Sequence, residues 1–272
     1  MADPLRILAI GAHPDDCDLT AGGTAARYAA LGHRVCFVSV TNGDAGHHLT
    51  GGARLAQRRY AETQASAAVI GIEYRVLDNH DGQLLPTLEA RQQIIALIRD
   101  CRPDLVLSPR PNDYHPDHRY TAQLIQDAAY MVTVPNVAAF SPHLELNPTI
   151  VYVSDRFQKP YPFSADVVVP TDDVFEQKLA MLHCHTSQFY EWLPANGGYL
   201  GEVPSGDGER LTWLRERREA SERTDAERFR ATLVAQLGED RAAAVRYAEA
   251  FEGCEYGAPL TPESIGRLFP FW

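Results

Sequence analysis

Several absences narrow this sequence before any motif is considered. No apolar stretch reaches the roughly 18 residues that a membrane helix needs, and the first one, LRILAIGA, runs into AHPDD before it could serve as a signal h-region. No run of lysine or arginine forms a phosphate-binding stripe, and the formal net charge is -11, which argues against nucleic acid as a partner. No CxxC pair occurs among the five cysteines (Cys17, Cys36, Cys101, Cys184, Cys254), so they read as reduced packing thiols and not as a disulfide framework. No internal repeat is visible. A cytoplasmic protein without a membrane span is expected.

What is present is ordinary globular usage, 45% hydrophobic and 22% charged. A chain of 272 residues can bury one substantial core. We therefore expect one domain, 1–272, with about 190–272 as loop and helical elaboration. Residues 5–12, RVCFVSVTNGD, YRVLD, DLVLSPR, TIVYVSD and ADVVVPT read as strands. Helices are expected in TAGGTAARYAALG, over 53–70, over 88–101 and over about 173–186, with 194–210 a long surface loop and 211–249 a charged amphipathic helix. The alternation of strand and helix predicts a doubly wound, mostly parallel α/β sheet with helices on both faces, Rossmann-like in outline.

Chemistry concentrates where strands end. The first strand runs into AHPDDCD, which places His13, Asp15 and Asp16 at a carboxyl end, where open α/β sheets bind ligands. A dinucleotide site would require GxGxxG here, but acids stand where a pyrophosphate would sit. Adjacent carboxylates repel unless a cation compensates, so Asp15 and Asp16 beside His13 suggest a metal; taken alone, the segment could equally be a solvated or capping turn. The fourth strand ends in SPRPNDYHPDHRYT, which supplies His115, Asp117 and His118. In strand order 3-2-1-4 the first and fourth strands flank the switch point, and their loops meet. Zinc takes imidazole and carboxylate ligands with one position open, and His13, Asp16 and His118 can supply that set. Asp15 then suits a general base, and His115 with Asp117 reads as an imidazole oriented by a carboxylate.

These motifs resemble the PIG-L/LmbE-like deacetylases: AHPDD after the first strand, TNGDAG after the second, RRYAE in a helix, HDGQL, HPDH after the fourth strand, and CHTSQ. The resemblance spans most of the chain. It implies a zinc-dependent N-acetylglucosaminyl deacetylase chemistry, with Zn2+ (or another divalent ion such as Fe2+) on His13, Asp16 and His118. Asp15 would activate water, and His115, oriented by Asp117, would serve the leaving amine. Arg59 and Asp81 match positions that hold sugar hydroxyls, and His185 belongs near the site as a donor. Tyr114 stands one residue away from a tyrosine found in some relatives. The implied substrate is a small acetylated amino sugar or glycoconjugate, and a homo-oligomer is compatible with the sequence.

Two other readings stay open. One is an amidase of the same kind acting on a thiol-conjugate, lipid-linked or antibiotic-intermediate amide. The other is a non-catalytic metal-binding sensor or scaffold, against which the pairing of Asp15 with His115 argues, because a structural site requires neither. His47 and His48 follow TNGDAG and would reach the same rim, and Trp192 and Tyr199 could pack on a sugar face.

Overall fold

A computed structural model describes residues 3–272. The sheet has seven strands in the order β3-β2-β1-β4-β5-β7-β6. Its first five, β1 (Arg6–Gly11), β2 (Arg34–Thr41), β3 (Glu73–Asn79), β4 (Leu105–Ser108) and β5 (Thr149–Val153), run parallel. Beyond its first residue β1 is buried throughout, and β4 throughout its length, as continuous apolar runs predict for strands covered on both faces. The expected doubly wound α/β fold is thus present, with β1 next to β4 at the switch point.

The crossovers carry α1 (Asp16–Ala30), α2 (Ala53–Ile70), α3 (Leu88–Cys101) and α4 (Pro116–Met131). Each boundary has a local cause. Gly71 closes α2 in the left-handed conformation, the Thr87 side chain accepts the Ala90 amide at the start of α3, and His115 caps α4 ahead of Pro116. The core divides by sheet face: Ile94, Ile98, Leu124 and Ile125 pack on one side, and Ala21, Ala25, Tyr28 and Phe269 on the other.

The carboxyl-terminal part departs from expectation. The expected helix over 211–249 is instead α7 (Asp207–Arg228), α8 (Arg230–Leu237), α9 (Glu239–Ala244) and the start of a seventh strand, β7 (Ala248–Gly253). That strand inserts antiparallel between β5 and β6 (Val167–Pro170). Residues 248 and 249 fall at the end of the expected charged helix, but Glu249 is buried and satisfied by the amides of Gly23 and Thr24 and by Lys178. The expected loop 194–210 also holds structure: α6 (Leu193–Asn196), a 3-10 turn at Leu200–Glu202 and the start of α7. Helix α5 (Phe175–Cys184) packs against α1 and α2, and α10 (Pro262–Leu268) closes the chain with a capping box from Thr261 and Ser264.

Candidate active site

The turn from β1 into α1 folds on itself. Asp16 sends its Oδ2 back to accept the amides of Ala12 and His13, each at 2.8 Å. Gly11 permits this approach, because a Cβ there would lie 2.6 Å from the Asp16 Cβ. Asp15, between them, adopts φ 135, a conformation that costs a residue with a side chain about 1–3 kcal/mol and that collects at active sites. The turn is held by Arg59 from α2. Its Nη2 donates to the Pro14 carbonyl at 2.7 Å and to Asp15 Oδ1 at 3.2 Å. Gly43 leaves room for that guanidinium: its φ is 69, and a Cβ would meet Arg59 Nη1 at 2.5 Å.

Three donor atoms from two loops converge in front of this turn. His13 Nδ1 lies 3.1 Å from His118 Nε2, and Asp16 Oδ2 lies 3.6 Å from the first and 3.4 Å from the second. Those separations match the edges of a tetrahedron, about 3.3 Å, set by zinc bonds of about 2.0–2.1 Å. The far nitrogens of both rings are already engaged. His13 Nε2 faces Asp81 Oδ1 at 3.2 Å and Asp117 Oδ2 at 3.3 Å, and His118 Nδ1 faces Asp113 Oδ2 at 3.1 Å. Carboxylates in these places fix the tautomer so that each free lone pair points to the shared centre, as in carboxylate-histidine-metal arrangements. His115 is also near, with donor atoms of His13, His115 and His118 all within 4.8 Å of one another. Its Nδ1, however, accepts the Asp117 amide at 3.2 Å as the cap of α4.

Electrostatics separate the two aspartates. Burial alone would raise both. For Asp16 that effect is outweighed by His118, His13 and the backbone amide of His13, which hold its carboxyl well below the usual range. For Asp15 burial prevails over Arg59, the neighbouring Asp16 charge adds to it, and the carboxyl is pushed up to about 6. One acid is therefore built to stay ionised, and the other can exchange a proton near neutrality. His115 is lowered by burial first, then by His13 and His118, while Asp117 pulls it upward. The expected pairing of the Asp117 carboxylate with His115 takes another form here. That carboxylate turns to His13 and to the Gly82 amide at 2.7 Å, and only the Asp117 backbone meets His115.

The chain resembles known proteins over this same region. The family model described as GlcNAc-PI de-N-acetylase, PIG-L, matches residues 8–129, the span that holds every expected site residue except His185. A diacetylchitobiose deacetylase of Thermococcus kodakarensis is 33% identical over 195 residues, covering 70% of this chain and 72% of its own. The chain belongs to the PIG-L family. A 1D-myo-inositol 2-acetamido-2-deoxy-alpha-D-glucopyranoside deacetylase of Actinosynnema mirum is 29% identical over 255 residues, covering 75% of this chain and 87% of its own. Among solved structures, an inhibitor complex of N,N'-diacetylchitobiose deacetylase from Pyrococcus horikoshii shares the fold with a TM-score of 0.71 at 24% identity, over 93% of this chain and 85% of that one.

PIG-L deacetylases are metal-dependent, and this member carries a His-His-Asp donor set. The geometry also shows what its other motifs do. In RRYAE, Arg59 clamps the Asp15 turn, and Glu62 accepts from the Ser187 amide and hydroxyl and from the Thr186 hydroxyl of CHTSQ. Gln188 donates to the Gly46 carbonyl at 3.1 Å, tying that segment to the loop after β2. His185 is fully enclosed, its Nε2 3.2 Å from Asp18 Oδ2, while Asp18 also binds Ser66. Arg59 is likewise almost fully buried, with Asp81 at 3.7 Å. His47 is a staple, accepting the amides of Leu49 and Thr50 while its Nε2 meets Glu191 at 2.8 Å. Sequence reasoning gave Asp113 no role, yet it supports His118 and accepts the His115 amide. Its signal was an acid two residues before one histidine and five before another, a spacing that also fits a simple turn.

Proposed function

We propose that this protein hydrolyses an N-acetyl amide on an amino sugar or glycoconjugate, with zinc held by His13, Asp16 and His118, releasing acetate and a free amine. The observation that carries the reading is the triangle of donor atoms at 3.1, 3.4 and 3.6 Å with both imidazoles backed by carboxylates. When bound there, zinc supplies Lewis acidity toward the amide carbonyl and toward water. The relatives named for diacetylchitobiose and for a 2-acetamido-2-deoxy-glucopyranoside support the substrate class.

The chain's own residues divide the remaining work. Asp15 takes the proton of the attacking water at its carboxylate, with Arg59 fixing the direction in which that carboxylate points. His115 accepts a backbone N–H at Nδ1, so its own proton resides on Nε2, from which it hydrogen-bonds the departing group while Asp15 passes the proton taken from water to the nitrogen. Asp81, Asp117 and Asp113 hold the ligand rings in register. His185, enclosed against Asp18, acts on Asp15 through its charge, which favours the ionised carboxylate.

Purified protein loaded with stoichiometric zinc and incubated with N-acetylglucosamine, diacetylchitobiose and an N-acetylglucosaminyl inositol tests this. Acetate and primary amine should appear in equal amounts, cease on chelation and return with added zinc. Zinc-loaded, folded protein that frees no amine from any of these acetamides contradicts the proposal.

A further inference from the structure

Beside the donor triangle lies a cavity of about 150 Å³ that the deacetylase reading leaves unused. Asp16 and His118 lie in its lining, and most of the other lining residues are apolar, among them Ile10, Cys17, Leu107 and Val153, with Leu19 of α1. The charges at its boundary are committed elsewhere. Arg110 is buried and gives Nε and Nη2 to Asp155, each at 2.6 Å, and Asp113 is held by His118 and the His115 amide. Thr20 donates its hydroxyl to the Asp16 carbonyl, Ser154 adds one hydroxyl, and the rest of the lining is mostly apolar, so the space favours a largely apolar occupant.

Its position relative to the amide selects which end enters. The groups that handle protons, Asp15 and His115, do not line the cavity, whereas two of the three donor residues do. A scissile amide centred on the donors, with its nitrogen toward His115, directs its acyl carbon away from His115, and the cavity bordered by Asp16 and His118 but not by His115 is the space we assign to it. Its size exceeds what an acetyl methyl fills. An apolar cavity of about 150 Å³ stays dry and accommodates benzene, a group of about six carbons.

We propose that this cavity is an acyl pocket, and that the enzyme removes short- to medium-chain N-acyl groups, up to about six carbons, in preference to acetyl. The inference rests on the amide-hydrolase reading above. Hydrophobic pockets discriminate by roughly tenfold or more per methylene that they enclose, so chain length is a sensitive readout. Gain should stop where the pocket ends.

The test is a series of N-acylglucosamines with acetyl, butyryl, hexanoyl and decanoyl groups on the zinc-loaded enzyme, following amine release. The hexanoyl compound should exceed acetyl in kcat/KM by about tenfold or more, with decanoyl falling back. Val153→Phe, which fills the cavity, should lower the hexanoyl-to-acetyl ratio by about tenfold, and Val153→Ala should raise the longest chain accepted. Because each ratio is internal to one preparation, a loss of folded protein cancels. Efficient release from the acetyl compound with hexanoyl tenfold or more poorer overturns the pocket and leaves the deacetylase intact. Release from none of the series overturns the amide-hydrolase reading with it.

Discussion

Helix α1 touches two clusters of buried charge, and they are built in opposite ways. In its middle, Lys178 Nζ sits 2.7 Å from both Glu222 and Glu249, and Glu249 also receives the amides of Gly23 and Thr24. The two glutamates keep the lysine charged against the pull of burial. Every strong group there finds its partner inside the protein. At the start of α1, Asp16, His13 and His118 instead aim donors at a common point; the far nitrogens of both rings face carboxylates, and Asp16 Oδ2 is fixed by the amides of Ala12 and His13. A closed network pins α1, α5, α7 and β7 together. An open, convergent one is a site for an ion.

Substitutions on each side should therefore fail differently. The largest effect is expected for Asp15→Ala, which should lower kcat by about two to four orders of magnitude with zinc still bound and the fold intact. In the wild type the same carboxylate is expected to set the acid limb of the pH profile if it is the base proposed above. Its ionised form is the active one, so rate is lost as pH falls through a pKa held at about 6 by burial, or lower once a cation is bound. An Asp15→Ala enzyme with near-normal turnover would remove it as the base.

The closed cluster should answer in stability and not in chemistry. Lys178→Met leaves two buried carboxylates without their cation and should cost about 3–5 kcal/mol in denaturant unfolding, with zinc affinity unchanged. Weaker zinc binding in that variant would mean the two clusters are not independent. The smallest effect is expected for Asp113→Asn, which keeps the shape behind His118 but weakens its support. Zinc affinity measured by chelator competition should drop about 10–100-fold, with stability little altered. Unchanged affinity would remove Asp113 from the site.

Much of the fold was legible because its signals are local. Continuous apolar runs marked β1, β2 and β4, and the helices expected over 53–70 and 88–101 match α2 and α3. The strand β7 was not, because its first residues closed a stretch, 211–249, that reads as charged helix, and only Lys178 and the amides of α1, distant in sequence, make Glu249 tolerable inside. The same limit applied to Asp117. Its place two residues from His115 in the chain suggested that they pair, whereas the first turn of α4 sends its carboxylate to His13.

By itself the sequence determined the residue types and the two strand ends that bear them, and hence the chemistry available: imidazoles and carboxylates, with Asp15 and Asp16 adjacent. Those properties follow from composition and from neighbours along the chain. Only the tertiary structure decided which carboxylate backs which imidazole, that Arg59 aims Asp15, and that an apolar space opens beside Asp16 and His118. Hydrogen-bond partners and cavities depend on distances of a few ångströms between segments about a hundred residues apart, and packing sets those distances.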